Sequence, residues 1–269
     1  MKRLAISAVL LGWCSLLVSS CSSTPTDTSK WNLVWQDEFD GAQGALPNAA
    51  NWKFDVGTNW GNAQLEYDSD RATNASLDGS GNLVITARKE TYQGSPYTSA
   101  RITTEGKRTV QYGKVEARMK LPSGRGLWPA FWLLGANKPT VGWPASGEID
   151  IMEIRGTDPS TVLGSMHGPG YSGGAALTKS KTLTLTRFDN SFHTFAVEWS
   201  PEQVEFFVDG LSYNVVKKSE SPTPWVFDHP FYIILNVAVG GSFVGSPDAF
   251  TPFPQTMVVD WVRVYQLKP

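Results

Sequence analysis

The chain carries three carboxylates within the six residues 148–153 (EIDIME), a stretch that is otherwise apolar and mostly β-branched. Acidic residues are depleted in strands, and a buried charge without a partner is costly, so these carboxylates need pairing or a chemical task. Residues two apart on a strand share a face, which places Glu148 and Asp150 side by side. Paired carboxylates of this kind are the groups that cleave a glycosidic bond.

Glu153 comes five residues after Glu148, an odd step that turns its side chain to the opposite face of a regular strand. One extra residue, a β-bulge, restores the phase, and we expect it at Met152 because bulges are frequent beside active sites. With about 3.3 Å for each paired position, the two glutamates then have Cα atoms roughly 13 Å apart. Their side chains can lean together to the roughly 5–5.5 Å that separates the carboxyl groups of a retaining glycosidase. Taken alone, such a short motif more often marks a polar strand face.

Length and composition predict one large all-β domain or two small domains. The 269 residues are 41% hydrophobic and 18% charged, which supports a sizeable core and argues against wholesale disorder. The net charge is −2, and removing Lys2 and Arg3 leaves 21 basic against 25 acidic residues, a net charge of −4. This balance argues against nucleic acid and anionic membrane as partners and suits a neutral ligand.

Residues 1–20 are predicted to be a lipoprotein-type signal peptide. They begin with the basic Lys2 and Arg3 and continue with a mostly apolar run, 4–18, that is too short to span a membrane. The sequence VSSC that ends at Cys21 resembles a bacterial lipobox, which implies cleavage before Cys21 and lipidation of its thiol. A plain secretory leader is the alternative. Since Cys14 lies inside the leader, we expect no disulfide in the mature chain.

The polar segment 21–30 is predicted to be a flexible tether between the lipid and one folded domain, 31–269. By resemblance to Gram-negative lipoproteins, the Ser22 that follows the cysteine implies anchoring in the outer membrane. We therefore expect a monomer in the cell envelope that meets the membrane only through its anchor, or a secreted protein if the leader is plain.

Short strand-like runs dominate this domain and predict an all-β fold of two packed antiparallel sheets, a curved sandwich or jelly roll. The runs are 82–88, 112–121, 147–154, 162–167, 192–199, 204–209, 231–239 and 257–265. Asp209 and Gly210 offer a tight hairpin turn between two strands. We expect the first segment, 31–39, to pair with or lie close to the last, 257–265.

Eleven tryptophans are present, and several lie in segments rich in Gly and Pro, where burial is harder. Trp60, Trp128 and Trp143 are of this kind, whereas Trp199 and Trp261 fall on strand patterns and are predicted to be in the core. A flat indole ring with one N–H donor suits a pyranose, which has apolar faces and a rim of hydroxyls. Ordinary packing is the alternative for any one of them.

Six blocks of the sequence, in this order along the chain, resemble glycoside hydrolase family 16. They are WQDEF at 35–39, GLWPAFWLL at 126–134, GEIDIME at 147–153, GSMH at 164–167, NVAVGG at 236–241 and VDWVRVY at 259–265. The E-x-D-x-x-E spacing resembles the laminarinase-like, endo-β-1,3-glucanase branch. The resemblance covers 31–266 and implies a curved β-jelly roll with an open glycan cleft.

This resemblance implies a catalytic role for each of the three acids. Glu148 is the expected nucleophile, Glu153 the general acid and then the general base, and Asp150 the residue between them that hydrogen-bonds the nucleophile. The physical chemistry agrees, because a retaining mechanism needs one ionised and one protonated carboxyl group near neutral pH. When like charges lie close together in a row, the pKa values of the groups in that row move apart.

The resemblance also implies a set of substrate-binding side chains around the acids. We expect Trp128 and Trp132 to form a sugar platform, and Asn59 and Trp60 to lie on a loop over the negative subsites. Trp143 is expected to contact the substrate from just before the catalytic strand. Arg101, His167 and Asn236 are the expected polar groups near the cleft. For His167 the alternative is a buried structural histidine. For Asn236 it is a role in stabilising the sheet.

No cofactor is expected for catalysis, but a structural calcium ion is implied on the convex side. The matching positions are Glu38, Gly81 through its carbonyl, and Asp260, and oxygen-only ligands fit Ca²⁺. An Asp260 that pairs with an arginine is the alternative. The chain's histidines do not have the spacing of metal ligands.

The sequence as a whole predicts a retaining endo-β-1,3-glucanase that cleaves laminarin-type glucans and, as a further expectation, mixed-linked β-1,3-1,4-glucan. A galactan hydrolase of agarase or carrageenase type on the same fold is the first alternative. A glycan-binding jelly roll without turnover is a second, although it would not need the acids, and a transglycosylase differs only in the acceptor that replaces water.

Overall fold

The computed structural model describes residues 30–222 and 224–269, which form strands joined by loops and very short helices. The predicted leader, Cys21 and most of the tether lie outside these residues. In chain order the strands are β1 (Trp31–Asp37), β2 (Lys53–Phe54), β3 (Glu66–Asp68), β4 (Ala75–Leu77), β5 (Leu83–Tyr92), β6 (Ser95–Ser99), β7 (Arg101–Thr103), β8 (Gly113–Lys120), β9 (Leu127–Gly135), β10 (Glu148–Ile154), β11 (Thr161–His167), β12 (Leu177–Thr182), β13 (His193–Trp199), β14 (Gln203–Val208), β15 (Leu211–Lys217), β16 (Phe231–Val239) and β17 (Gln255–Leu267). The helices are α1 (Lys138–Val141) and two 3₁₀ turns, Gly173–Ala175 and Lys218–Glu220. In the described part of the chain, no helix has the length and apolar character needed to cross a membrane.

The strands form two sheets, as the sequence predicts. One sheet has ten strands in the order β15-β14-β13-β8-β17-β5-β6-β3, with β1 paired to β17 and β4 paired to β5. The other has seven, in the order β12-β11-β10-β9-β16-β7-β2. Neighbours pair antiparallel except β3 and β6. The predicted all-β, two-sheet antiparallel sandwich is therefore confirmed.

The core lies between the sheets and takes alternate residues from their strands. Phe131 and Ile149 of the seven-stranded sheet and Val197 and Val262 of the ten-stranded sheet belong to one buried cluster. The strand β16, in contrast, is buried along its whole length, because it lies inside its sheet between β9 and β7.

Two sequence predictions about the tryptophans of the strands have different outcomes. Trp199 is buried, as predicted. The prediction for Trp261 was wrong: its ring is only partly buried and lies under the guanidinium of Arg263. The register of β17 against β8 shifts between Val259 and Trp261. Val259 and Val262 therefore both enter the core, and the simple alternation read from the sequence is broken at this bulge.

The ends of the domain and the predicted hairpin are as expected. The strand β1 pairs with β17, with Trp31 opposite Leu267 and Asp37 opposite Val262. Between β14 and β15, Asp209 and Gly210 have φ of 50° and 77°. Two consecutive positive φ values are the requirement of the type I′ turn, which matches the twist of a hairpin.

The strand β10 holds the acidic motif, and it lies between β9 and β11 in the seven-stranded sheet. Against β11, Asp150 faces Ser165 and Glu153 faces Leu163, so two residues of β10 oppose one of β11. Against β9, the residue without a partner is Ile151, and Met152 pairs with Phe131. The predicted bulge is present, but its extra residue is Ile151 and not Met152.

Candidate active site

The bulge puts all three carboxylates on one face of β10. Ile151 and Met152 are consecutive and both fully buried in the core, so the chain gains the extra step that returns Glu153 to the face of Glu148. This face is the floor of a cleft with a volume of about 700 Å³. Nine of the residues predicted from the sequence line it: Glu148, Asp150, Glu153, Trp60, Arg101, Trp128, Trp132, Trp143 and Asn236.

Each of the two glutamates accepts a hydrogen bond from its own indole. Trp143 Nε1 donates to Glu148 Oε2 at 3.1 Å, and Trp128 Nε1 donates to Glu153 Oε1 at 2.8 Å. Trp128 belongs to β9, whereas Trp143 lies on the loop between α1 and β10. The indoles thus fix the two carboxylates at opposite ends of the acidic row, a role that the sequence reasoning did not assign to either tryptophan.

His167 lies at the end of β11, directly opposite Glu148 in the strand register. Its Nε2 is 2.9 Å from Asp150 Oδ2 and 3.7 Å from Glu148 Oε1. Its Nδ1 accepts a hydrogen bond from the backbone N–H of Gly173 at 3.0 Å. Despite this short distance Asp150 Oδ2 has no hydrogen-bond partner, so the contact with His167 is electrostatic. The predicted position of His167 near the acidic row is therefore correct.

Burial raises the pKa of all three carboxyl groups. For Glu148 and Glu153 burial is the main cause and the negative charge of Asp150 adds to it, which brings each pKa to about 8. Burial alone raises the pKa of Asp150, also to about 8. Because the groups interact, these protons belong to the row as a unit. The row therefore retains protons at neutral pH, where isolated carboxyl groups are ionised.

One end of the cleft is built around Arg101. Its guanidinium lies 5.0 Å from the ring of Trp60 and 4.8 Å from the ring of Trp132, and its Nε donates to Asp55 Oδ2 at 3.1 Å. Cation–π contacts of this kind fix both rings. Trp132 in turn donates to Asn236 Oδ1 at 2.8 Å. Asn236 thus orients a cleft tryptophan, in addition to lining the cleft itself.

The loop 57–64 carries Trp60 and has an unusual backbone. Asn59, Asn62 and Ala63 have positive φ values of 67°, 55° and 55°, a conformation that costs non-glycine residues free energy. Gly61 and Asn62 line the cleft, whereas Asn59 is exposed and outside its lining. The role predicted for Asn59 stays a prediction.

A second pair of acids lies behind this end of the cleft and had no signal in the sequence. Glu66 and Asp68 of β3 are 1% and 2% exposed. Burial raises the pKa of Glu66 to about 7, against hydrogen bonds from backbone N–H groups such as that of Val239. The pKa of Asp68 is also raised, by burial and by the charge of Glu66, and the Arg101 guanidinium opposes both shifts. This pair adds to the charge around Arg101 without lining the cleft.

The residues predicted to hold calcium have other partners. Glu38 accepts two hydrogen bonds from Arg263, at 2.8 and 3.0 Å, and the carboxylate of Asp260 pairs with Arg118. Gly81 does approach Glu38, since a Cβ on Gly81 would lie 3.7 Å from the backbone oxygen of Glu38. In the described residues, the group of three possible metal ligands that lie close together is Glu148, Asp150 and His167 in the cleft.

Several cleft-lining residues were not found from the sequence, among them Asp55, Glu105, Lys138 and Tyr232. They come from four separate segments of the chain, and nothing in their local sequence distinguishes them from ordinary surface or strand residues. Of these residues, only a carboxylate such as Asp55 could have been expected, because an arginine in a cleft needs an ion-pair partner.

Comparison with known proteins agrees with this geometry. A beta-glucanase from Rhodothermus marinus is 40% identical over 280 residues, which covers 99% of this chain and 95% of the relative. A glucan endo-1,3-beta-glucosidase from Cryptopygus antarcticus is 40% identical over 87% of this chain and 88% of the relative. The laminarinase catalytic domain from Thermotoga maritima MSB8 superposes with a TM-score of 0.84 at 48% identity, covering 89% of this chain and all of that domain.

The profile of the family described as Glycosyl hydrolases family 16 matches residues 55–263. This range includes the acidic row of β10, the tryptophans of β9 and the strand β16. A match over most of the chain, together with relatives at 40% identity along nearly their whole length, leaves one assignment: the chain is a glycoside hydrolase that belongs to family 16.

Proposed function

We propose that this protein is a retaining endo-β-1,3-glucanase that hydrolyses laminarin-type glucans. The observation that carries the proposal is the acidic row of β10, whose bulge sets Glu148 and Glu153 on one cleft floor. Each glutamate is held by its own indole donor. The names of the relatives from Rhodothermus, Cryptopygus and Thermotoga support a β-1,3-glucan as the substrate.

In the first chemical step, the Glu148 carboxylate attacks the anomeric carbon of the sugar that precedes the scissile bond. The Glu153 carboxyl group gives its proton to the glycosidic oxygen as the bond from that oxygen to the anomeric carbon breaks. The leaving glucan departs with a free hydroxyl, and the remaining sugar is esterified to Glu148. This step needs Glu148 ionised and Glu153 protonated.

In the second step, the Glu153 carboxylate takes a proton from a water molecule, whose oxygen attacks the anomeric carbon. The ester bond breaks, Glu148 is restored as a carboxylate, and Glu153 is again protonated. Two inversions give net retention of the β configuration. Both steps use side chains of this chain alone, so the chemistry needs no cofactor.

Burial and the charge of Asp150 raise the pKa of both glutamates to about 8, so the row keeps the proton that Glu153 needs. Glu148 faces the indole N–H of Trp143 and the imidazole of His167, which stabilise a carboxylate there. Burial and the negative charge of Asp150 raise the pKa of Glu153, and this favours the protonated acid. Asp150 lies between them and disfavours a second and third charge in the row.

The test is a product assay on four polysaccharides with the purified protein: laminarin, mixed-linked β-glucan, agarose and carrageenan. We expect short β-1,3 oligosaccharides from laminarin, released first as the β-anomer. Glu148→Ser should abolish release. The matched control is Glu220→Ser, which replaces an exposed acid that does not line the cleft and should leave release unchanged. Release from mixed-linked glucan as well would widen the substrate range.

Three results would overturn the proposal. Release from agarose or carrageenan alone would make the enzyme a galactan hydrolase on the same acidic row. Equal release by wild type and Glu148→Ser would remove Glu148 as the nucleophile. Products that appear first as the α-anomer would replace the double displacement with an inverting mechanism.

The calcium site stays a prediction that the side chains do not support as they are placed. Both carboxylates of the expected set face guanidinium groups, and a cation would have to displace Arg118 to reach Asp260. A fall in the melting temperature on chelation, restored by Ca²⁺ and absent in Asp260→Asn, would establish the site. A melting temperature indifferent to chelator would exclude a tightly bound ion.

We also propose that the protein is a lipoprotein, lipid-anchored at Cys21 and held at the cell envelope. The support is the lipobox-like VSSC at 18–21 with a polar segment after it. Metabolic labelling with a radioactive fatty acid, followed by fractionation of the envelope, would test this. Label that survives in Cys21→Ala would contradict the lipobox, and label in the inner membrane would contradict the outer-membrane expectation.

A further inference from the structure

The hydrogen bond from Gly173 to His167 determines which ring nitrogen carries the proton. A backbone N–H can only donate, so His167 Nδ1, which lies 3.0 Å from the Gly173 nitrogen, must offer its lone pair. A neutral imidazole has one N–H and one acceptor nitrogen. The proton of neutral His167 is therefore on Nε2, the atom that faces the acidic row.

The opposite side of the ring leads independently to the same tautomer. Nε2 lies 2.9 Å from Asp150 Oδ2, which is buried and makes no aligned hydrogen bond, and 3.7 Å from Glu148 Oε1. A bare Nε2 would set a lone pair against these oxygens, whereas Nε2–H places a partial positive charge beside them.

The loop that carries Gly173 is held firmly. Gly168 and Tyr171 exchange backbone hydrogen bonds, at 3.1 and 3.0 Å. The ring of Tyr171 is buried, and its hydroxyl donates to the backbone oxygen of Pro224 at 3.0 Å. A Cβ on Gly168 would lie 2.4 Å from Cζ of that ring, so only glycine permits this contact. The Gly173 amide is thus placed by packing that lies outside the cleft.

We propose that the loop 168–176 is a tautomer lock: the Gly173 amide holds the neutral ring of His167 with its proton on Nε2, so that an N–H group faces Asp150 and Glu148. Gly173 and Tyr171 are then positioning residues that act through His167. The inference concerns how the acidic row is held, and its catalytic consequence rests on the roles proposed above for Glu148 and Glu153.

The lock has a use in the proposed chemistry. An imidazolium would turn a second N–H towards the Gly173 amide, donor against donor, and would add a full positive charge beside the row. Positive charge on His167 lowers the pKa of Glu153, which has to stay protonated for the first step. The partial positive charge of a neutral Nε2–H favours a carboxylate in the row without that penalty on Glu153. The titratable groups facing the ring are Glu148 and Asp150 of β10, and the Trp143 ring lies 6.1 Å away.

The direct test is ¹⁵N NMR of the neutral histidine rings in the labelled full chain. We expect neutral His167 as the Nε2–H tautomer. His193 is an internal control with the opposite tautomer. Its Nδ1 lies 2.7 Å from the carboxylate of Asp209, which can only accept, so Nδ1 must carry the proton. An Nδ1–H tautomer of neutral His167 would overturn the lock. Because the spectrum does not depend on turnover, it stands even if laminarin is not the substrate.

A kinetic test uses the two amide side chains that imitate different ring atoms. Gln at position 167 reaches the place of Nε2 with an N–H donor, while Asn ends near Nδ1. We expect His167→Gln to stay within about tenfold of wild-type kcat/KM with the same pH profile, and His167→Asn to lose roughly 10- to 100-fold, because only Gln keeps an N–H group at the place of Nε2. Equal losses in both variants would show that the ring serves packing and not donation. The Glu148→Ser variant, inactive in the proposed function, should keep the His167 spectrum.

Discussion

Replacing Asp150 by Asn should make the protein more stable while it removes most of the activity. Asp150 is 3% exposed and has an acidic neighbour on either side along the cleft face of β10. Burial raises its pKa from 3.8 to about 8. Asn has nearly the same shape, so the substitution removes chiefly a buried charge.

The sign follows from proton linkage. The folded pKa lies above the unfolded value, so the folded protein binds the proton more tightly, and the carboxylate destabilises the fold as pH rises from about 4 to 8. A shift of about 4 pKa units at 1.36 kcal/mol each gives a ceiling of roughly 6 kcal/mol above pH 8. Because the three acids titrate together, the two buried glutamates keep part of this destabilisation after the substitution. We therefore expect a gain of about 2 kcal/mol, or a melting temperature higher by about 4–8 °C.

The assay is thermal unfolding of wild type and Asp150→Asn at half-unit steps from pH 4 to 9. The difference in melting temperature should be near zero at pH 4 and largest above pH 8. Asp189→Asn is the control of opposite sign: burial raises the pKa of Asp189, but the hydrogen bonds from Arg187 and Ser123 and the charge of Arg187 outweigh it and lower the pKa. That variant should be less stable at neutral pH. A difference for Asp150→Asn that does not change with pH would refute the reasoning.

Three further substitutions test single contacts. Trp128→Phe removes the N–H on Glu153, which raises the pKa of that acid; the alkaline limb of the pH–rate profile should move up and kcat should fall roughly 10-fold, the share of one hydrogen bond to a charged group. Ala63→Gly relieves a positive φ of 55° and should raise the free energy of unfolding in urea by about 1 kcal/mol; no gain would mean that the loop is not strained. Gly164→Ala places a Cβ 2.4 Å from a tyrosine hydroxyl of β15 and should lower stability by about 1–3 kcal/mol, whereas Gly174→Ala, with open space around it, should be neutral in the same titration.

The part of the site that lies on strands was open to prediction from the sequence. Alternation along a strand is a local property, so the shared face of Glu148 and Asp150 follows from their spacing. The odd step to Glu153 required a bulge, and the structure has one. The position of its extra residue was missed, because Ile151 and Met152 are both apolar and both fit the core.

The part that lies on loops was not open to prediction. The Trp143 indole reaches Glu148 from the segment after α1, and the Gly173 amide reaches His167 from a loop pinned at Pro224. Neither contact has a periodic pattern, and a backbone N–H has no signature in a sequence at all. Asp55 became a partner of Arg101 only through the pairing of β2 with β7, a contact between segments far apart in the chain.

The bulge of β10 explains how three acids are tolerated in a buried strand. A bulge breaks the ladder locally and leaves one residue unpaired, which by itself is unfavourable. Here the unpaired residue is Ile151, and because Met152 follows it into the core, the irregularity buries two apolar side chains between two acids. That burial, worth about 1.5–3 kcal/mol for each side chain, offsets part of the destabilisation from the carboxylates on the other face. The same two residues therefore hold the strand in the core and separate Glu153 from Asp150, so that the feature that permits the acids also sets the spacing on which the proposed double displacement depends.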